Sequence, residues 1–148
     1  GEAVNTSILE VDGLMAHEVN MSGEAIRVLL VDDHAMVRQG LRSYLSTYYR
    51  DIEVVGDAGS GEEALQAVHT LSPSVVVMDI NMPGLNGIEA TARIKQTHPH
   101  VGVVGLSMHV DEDYRRAMTT AGATALISKG AVLEDLYDAI IKSSGASG

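Results

Sequence analysis

From Ile26 to about residue 142, short β-branched apolar runs alternate with longer segments whose apolar positions recur every three or four residues. That alternation predicts strand and helix in turn, the pattern of a doubly wound parallel α/β sheet. The first strand is residues 26–31, and the helix after it places Val37, Leu41, Tyr44, Leu45 and Tyr48 on one face turned to the sheet. The second strand, about 52–57, leads to Ser60 as a helix cap with Glu63 at the capping-box position, then Ala64, Ala67, Val68 and Leu71 inward. Pro73 breaks the chain before residues 74–78, a continuously apolar strand expected at the sheet centre, buried on both faces. A third helix, about 87–97, precedes a strand over 101–106. Asp111 caps a helix with Tyr114, Ala117, Met118 and Ala121 on one side; Gly122 stops it before the strand 124–128. The last helix, about 132–142, aligns Leu133, Leu136, Tyr137, Ile140 and Ile141.

These units form one domain, residues 25–142. The tail 143–148 reads as a Ser/Gly linker, and residues 1–24 as an N-terminal extension, native or appended. In that extension Ile8, Leu9, Val11, Leu14 and Met15 form at most a short amphipathic segment on an otherwise mobile tail.

Composition narrows the function. Ten basic against twenty acidic residues give a net charge of −10, which argues against a nucleic-acid backbone or an anionic membrane as the direct partner of this segment. The chain has no cysteine, so neither a disulfide framework nor a zinc-thiolate site is available. No apolar run reaches the length of a membrane span, and the start lacks the basic and apolar stretches of a secretory signal, so a cytoplasmic protein is the expectation.

The candidate chemistry lies at the strand ends. Asp32 and Asp33 close the first strand, Asp79 the third, Ser107 the fourth, and Lys129 follows the fifth. In an open α/β sheet, ligands bind at the carboxyl edge of the strands. Like charges about 4 Å apart repel by roughly 4 kcal/mol at an effective dielectric near 20, so three carboxylates gathered there require a counter-charge. Oxygen donors without cysteine favour Mg²⁺, with Mn²⁺ as the substitute. The Lys129 ammonium and Ser107 hydroxyl complement an incoming phosphoryl group, with Asp79 as the nucleophile. Taken singly, the aspartates read as helix caps or turn residues, Ser107 as a cap and Lys129 as a solvated charge; their joint placement reads as a site. His34 and His109 adjoin it but are read as loop residues, and no histidine is assigned to metal. His98 and His100, around Pro99, are read as exposed at the opposite edge.

The motifs Val31-Asp32-Asp33-His34, Met78-Asp79-Ile80-Asn81-Met82-Pro83-Gly84-Leu85-Asn86-Gly87, Leu106-Ser107-Met108-His109 and Ser128-Lys129-Gly130 resemble, in order and spacing, the receiver domain of two-component response regulators. Local wording is most similar to the NarL/FixJ branch. The resemblance covers residues 25–142 and implies a flavodoxin-like, three-layer αβα fold with a five-stranded parallel sheet in the order 2-1-3-4-5. It implies Asp79 as phosphoacceptor; Asp33, Asp79 and the backbone carbonyl of Asn81 as Mg²⁺ ligands, with Asp32 ligating directly or through water; Ser107 as switch hydroxyl; and Lys129 on the phosphoryl oxygens. The partner implied is a sensor histidine kinase, with a homodimer and a C-terminal DNA-binding domain as further expectations. Such a domain is not a turnover enzyme: it catalyses only its own phosphorylation and dephosphorylation.

Two positions depart from the family pattern. Leu126 stands where Tyr or Phe is usual, and Gly130 where a proline often follows the lysine. The expectation is intact phosphorylation with altered coupling to output. Three alternatives remain at this point: a stand-alone receiver signalling by docking, an aspartate-nucleophile phosphatase, and a flavin module. The phosphatase lacks the second aspartate two residues after the nucleophile, where Asn81 stands, and the flavin module lacks Trp and Phe to stack on the ring.

Overall fold

The computed structural model describes residues 24–145, and the expectations for Ile8 to Met15 and for residues 146–148 lie outside them. The elements run β1 (Ile26–Val31), α1 (Ala35–Tyr48), β2 (Ile52–Ala58), α2 (Gly61–Leu71), β3 (Val75–Asp79), α3 (Gly87–Thr97), β4 (Gly102–Ser107), α4 (Glu112–Ala121), β5 (Ala125–Ser128), a 3₁₀ turn (Lys129–Ala131) and α5 (Val132–Ser144). The five strands pair in parallel in the order β2-β1-β3-β4-β5, the flavodoxin-like arrangement.

Strand periodicity sorts the core into two layers. Leu29, Val31, Val76, Met78 and Val103 face Ala64 and Val68 of α2, Ala90 and Ile94 of α3, and Met118 of α4. Their neighbours Val28, Leu30, Val75, Val77, Val104 and Leu106 face Leu45 of α1 and Leu136 and Ile140 of α5. β3 is buried along its whole length, as its unbroken apolar run requires.

The helix starts follow local chemistry. Ser60 Oγ accepts from the Glu63 amide at 3.1 Å, but the Glu63 carboxylate returns to the amide of Gly59, at 2.7 Å, one residue before the cap. Asn86 and Asp111 cap α3 and α4 in the same manner. α5 extends two residues past the expected boundary, so Ser143 and Ser144 form its last turn, and Gly145 ends it with φ of 79°.

Two apolar residues assigned inward are exposed: Tyr48 at the end of α1 is 66% accessible and Leu133 in the first turn of α5 is 68% accessible. Periodicity fixes the face a residue shares, not how far along that face a covering element reaches. Nearby, Tyr137 donates a hydrogen bond to the buried Asp51 carboxylate and stacks on Tyr49 with ring centroids 4.1 Å apart.

Candidate functional site

Register assembles the site. β1 pairs with β3 through Val31 and Met78, so the next residues, Asp32 and Asp79, leave the sheet side by side. Asp79 is level with Leu106, which sets Ser107 one step beyond it, and Ser107 is level with Ser128, which sets Lys129 one step further. Residues 97 positions apart in sequence meet here: Lys129 Nζ is 3.2 Å from Asp32 Oδ2 and 3.3 Å from Asp79 Oδ1.

The cluster is short of positive charge. Asp32 and Asp79 are each 1% exposed, and Asp33 stands partly buried beside them. Burial, and then the neighbouring Asp32 charge, push the Asp79 carboxyl above the ordinary carboxylate range, while the Asn81 amide at 3.0 Å and the Lys129 ammonium pull it partly back. Lys129 also loses solvation, which alone would lower its pKa, but the Asp79 and Asp32 charges outweigh that loss and raise it. Lys129 is therefore an ammonium at neutral pH, bridging Asp32 and Asp79 with the third aspartate, Asp33, next to Asp32.

Asp79 Oδ2 is buried with no hydrogen-bond partner, and Asp33 Oδ1, also buried, has only the His34 imidazole beside it, in a contact that makes no hydrogen bond. One ligand atom from each of Asp32, Asp33, His34 and Asp79 lies within 4.8 Å of the others. Buried carboxylate oxygens without a hydrogen bond on adjacent strand ends, with excess negative charge, fit a hard divalent cation. The His34 imidazole, expected only to shape the loop, instead places Nδ1 3.1 Å from both Asp32 Oδ1 and Asp33 Oδ1. Its position next to the aspartate pair was the available signal, but the ring's direction is not encoded in spacing. His109 does act through its backbone, as a loop residue.

Ser107 is buried at the site's edge, with its hydroxyl turned into the β4–α4 loop. Its Oγ donates to the His109 carbonyl at 2.8 Å and accepts from the His109 amide at 3.0 Å. The Asn81 side-chain oxygen lies 3.4 Å from it, the link between Ser107 and the aspartates. Behind it on the same face of β4 is Gly105, where an added Cβ would stand 2.6 Å from Met118 Cε and 3.0 Å from Leu126 Cδ1. The space near the Ser107 hydroxyl is therefore filled by aliphatic side chains, Leu126 included. No peptide bond among the described residues is cis, and Ser128 Oγ accepts from the Gly130 amide at 3.1 Å to shape the turn after β5.

Gly87 holds the loop against the site. A Cβ there would fall 2.3 Å from the Asp79 carbonyl oxygen and 2.5 Å from Ile80 Cα, both backbone atoms that cannot yield cheaply. Gly87→Ala is expected to cost about 2–3 kcal/mol in urea unfolding, because the end of β3 must shift. A change below about 0.5 kcal/mol would show that α3 starts without pressing on β3.

The family model of the response regulator receiver domain matches residues 28–141. The chain is 44% identical over 120 residues to the response regulator protein VraR of Staphylococcus aureus, covering 80% of this chain and 56% of that protein. It is 41% identical over 115 residues to the response regulator GacA of Pseudomonas viridiflava, covering 78% and 53%. It thus spans about half the length of these curated relatives. Among solved structures, a LuxR-family two-component response regulator from Aurantimonas superposes with a TM-score of 0.77 at 32% identity, over 82% of this chain and 86% of that one. The response regulator domain of Thermotoga maritima CheB superposes with a TM-score of 0.77 at 32% identity, over 84% and 100%. Receiver domains are signalling domains rather than turnover enzymes, and no helix among the described residues is long and apolar enough to cross a membrane. With its strand order, its acidic strand ends and these matches in agreement, the chain belongs to the response regulator receiver domain family of two-component systems.

Proposed function

We propose that Asp79 accepts a phosphoryl group from the phosphohistidine of a sensor histidine kinase. The observation that carries this reading is the Asp79 carboxylate itself: buried, raised in pKa by that burial, held at Oδ1 by Lys129 and the Asn81 amide, and left without a partner at Oδ2. The Asp79 O–P bond forms as the N–P bond of the donor breaks, and the leaving imidazole takes up a proton. Lys129 turns from Asp79 to a phosphoryl oxygen and so releases Oδ1, leaving one carboxylate oxygen for phosphorus and the other for a cation.

Asp33 and Asp79, with Asp32 directly or through water and the Asn81 backbone carbonyl, are the proposed holders of Mg²⁺, or of Mn²⁺ in its place. Bound there, the cation would neutralise charge developing on the phosphoryl oxygens. Ser107 serves as the switch hydroxyl: to reach the phosphoryl group it must give up both bonds to His109, and the β4–α4 loop rearranges with it. Hydrolysis of the aspartyl phosphate resets the domain.

The fuller reading is a cytoplasmic transcription regulator of NarL/FixJ type with a C-terminal DNA-binding domain, acting as a homodimer; what supports it is that this chain covers only 53–56% of GacA and VraR, and that a LuxR-family response regulator shares the fold at 32% identity. The segment itself, at net charge −10, makes no direct nucleic-acid contact.

Intact-mass spectrometry after incubation with acetyl phosphate tests the reading. One phosphoryl adduct that needs Mg²⁺ and is missing from Asp79→Asn is the expected result. An adduct of equal yield in the variant would move the acceptor elsewhere, and no adduct on the metal-loaded, folded chain, together with no beryllofluoride complex, would remove the phosphoacceptor role.

A further inference from the structure

The carboxylates at the acidic edge are held from one side only. Lys129 takes Asp32 at Oδ2 and Asp79 at Oδ1. That leaves Asp32 Oδ1, Asp33 Oδ1 and Asp79 Oδ2, and the last two are buried without a hydrogen bond. A ring nitrogen stands beside two of these oxygens: His34 Nδ1 is 3.1 Å from Asp32 Oδ1 and 3.1 Å from Asp33 Oδ1.

The backbone aims this ring. His34 is the N-cap residue of α1, yet its side chain caps no helix amide. Its own amide donates to Asp32 Oδ1 at 2.9 Å, and Arg38 Nη1 donates to the Asp32 carbonyl at 2.6 Å. The Val37 and Arg38 amides donate to the His34 carbonyl. With the turn 32–34 fixed in this way, only the two side-chain torsions of His34 stay free, so little entropy is lost when the ring takes up a ligand.

Distance and chemistry distinguish a metal ligand from a plain ion pair. An octahedral ion with bonds of about 2.1 Å holds neighbouring donor atoms about 3.0 Å apart. That is close to the separation from Nδ1 to each oxygen. The contact with Asp33 is not a hydrogen bond, whereas an ion lying between the two atoms would satisfy both. One atom from each of Asp32, Asp33, His34 and Asp79 lies within 4.8 Å of the others, near the width of a single coordination shell. As an ion pair alone, a side chain 67% exposed gains little. Imidazole suits first-row transition ions, whereas Mg²⁺ takes oxygen donors and keeps its water.

Resting on the reading that the aspartates hold a divalent cation, we propose that His34 Nδ1 is a further ligand of that ion. The added nitrogen makes the site select first-row transition ions such as Co²⁺ and Mn²⁺ over Mg²⁺ more strongly than its oxygens alone would. The neutral ring then carries its proton on Nε2 and offers Nδ1 bare.

Isothermal titration of the parent, His34→Ala and Asp33→Asn with CoCl₂ and with MgCl₂ at neutral pH tests it. His34→Ala is expected to weaken Co²⁺ binding about tenfold more than Mg²⁺ binding, and Asp33→Asn to weaken both. His34 is exposed and caps no amide, so its variant leaves the core and the start of α1 undisturbed. In the Mn²⁺-loaded parent, pulsed EPR should show the nitrogen hyperfine coupling of a directly bound imidazole, absent from His34→Ala and kept in His109→Ala. Co²⁺ affinity unchanged or raised in His34→Ala, or no nitrogen coupling in the parent, would overturn the proposal; Mg²⁺ binding that still depends on Asp33 would then leave the cation reading standing. Failure of both ions to bind the parent would overturn the two together.

Discussion

Lys129→Met is expected to destabilise the metal-free chain by about 3 kcal/mol, because it leaves Asp32 and Asp79 buried without their counter-charge. Methionine keeps most of the aliphatic stem, so little of the loss comes from packing. For a domain of this size the change lowers the melting temperature by roughly 10 °C or more. Two further measurements isolate the electrostatic cause. Adding Asp79→Asn to the Lys129→Met background should recover more than about 1 kcal/mol, since it removes one of the carboxylates that the lysine balanced. Saturating Mg²⁺ should stabilise the Lys129→Met chain more than the parent, because the ion supplies the missing positive charge. Additive single and double variants would show that Lys129 acts through packing alone.

The second large effect has the opposite sign. Asp79→Asn in chelator is expected to melt several degrees above the parent, a gain of about 1–3 kcal/mol from removing an ionised group that burial disfavours. The effect depends on pH in a defined direction. Folding raises the Asp79 pKa, so its ionised form destabilises the native state, fully so above the folded pKa. As pH falls from that value toward the ordinary carboxylate range, the native carboxyl protonates and the deficit shrinks. The gap between parent and variant should therefore be widest near neutral pH and close in acid. In Mg²⁺ the order narrows or inverts, since the parent gains an ion that the variant holds less well. Melting curves of the two proteins across pH decide the matter: a gap that stays constant into acid would show that Asp79 ionisation does not carry it. Greater stability together with loss of the phosphoryl adduct would mark Asp79 as a residue kept for chemistry at the expense of the fold.

Much of this site is legible in the sequence. Asp32, Asp79 and Lys129 are at strand ends because apolar runs stop there, and parallel strands deliver their ends to one edge. Helix caps at Ser60 and Asp111 are equally local, each a side chain bonding an amide three residues on; Asn86, read only as part of the loop after β3, caps α3 in the same way. Exposure was harder to read. Tyr48 and Leu133 satisfy the helical period, yet their accessibility depends on where the neighbouring elements end.

Sequence by itself determined the order of strands and helices, the acidic character of one sheet edge and the residue types available there, because these follow from periodicity and from which residues terminate each run. Tertiary structure alone decided how the charges pair. Lys129 bridges two carboxylates because β1 lies beside β3 and β4 beside β5 at one particular register; a shift of one residue would turn those side chains to the other face. It also decided that the Ser107 hydroxyl rests on His109 and that the His34 Nδ1 lies against Asp32 and Asp33. Side-chain direction and long-range contact arise only when the packed elements exclude the other rotamers and partners, and no one-dimensional pattern contains that exclusion.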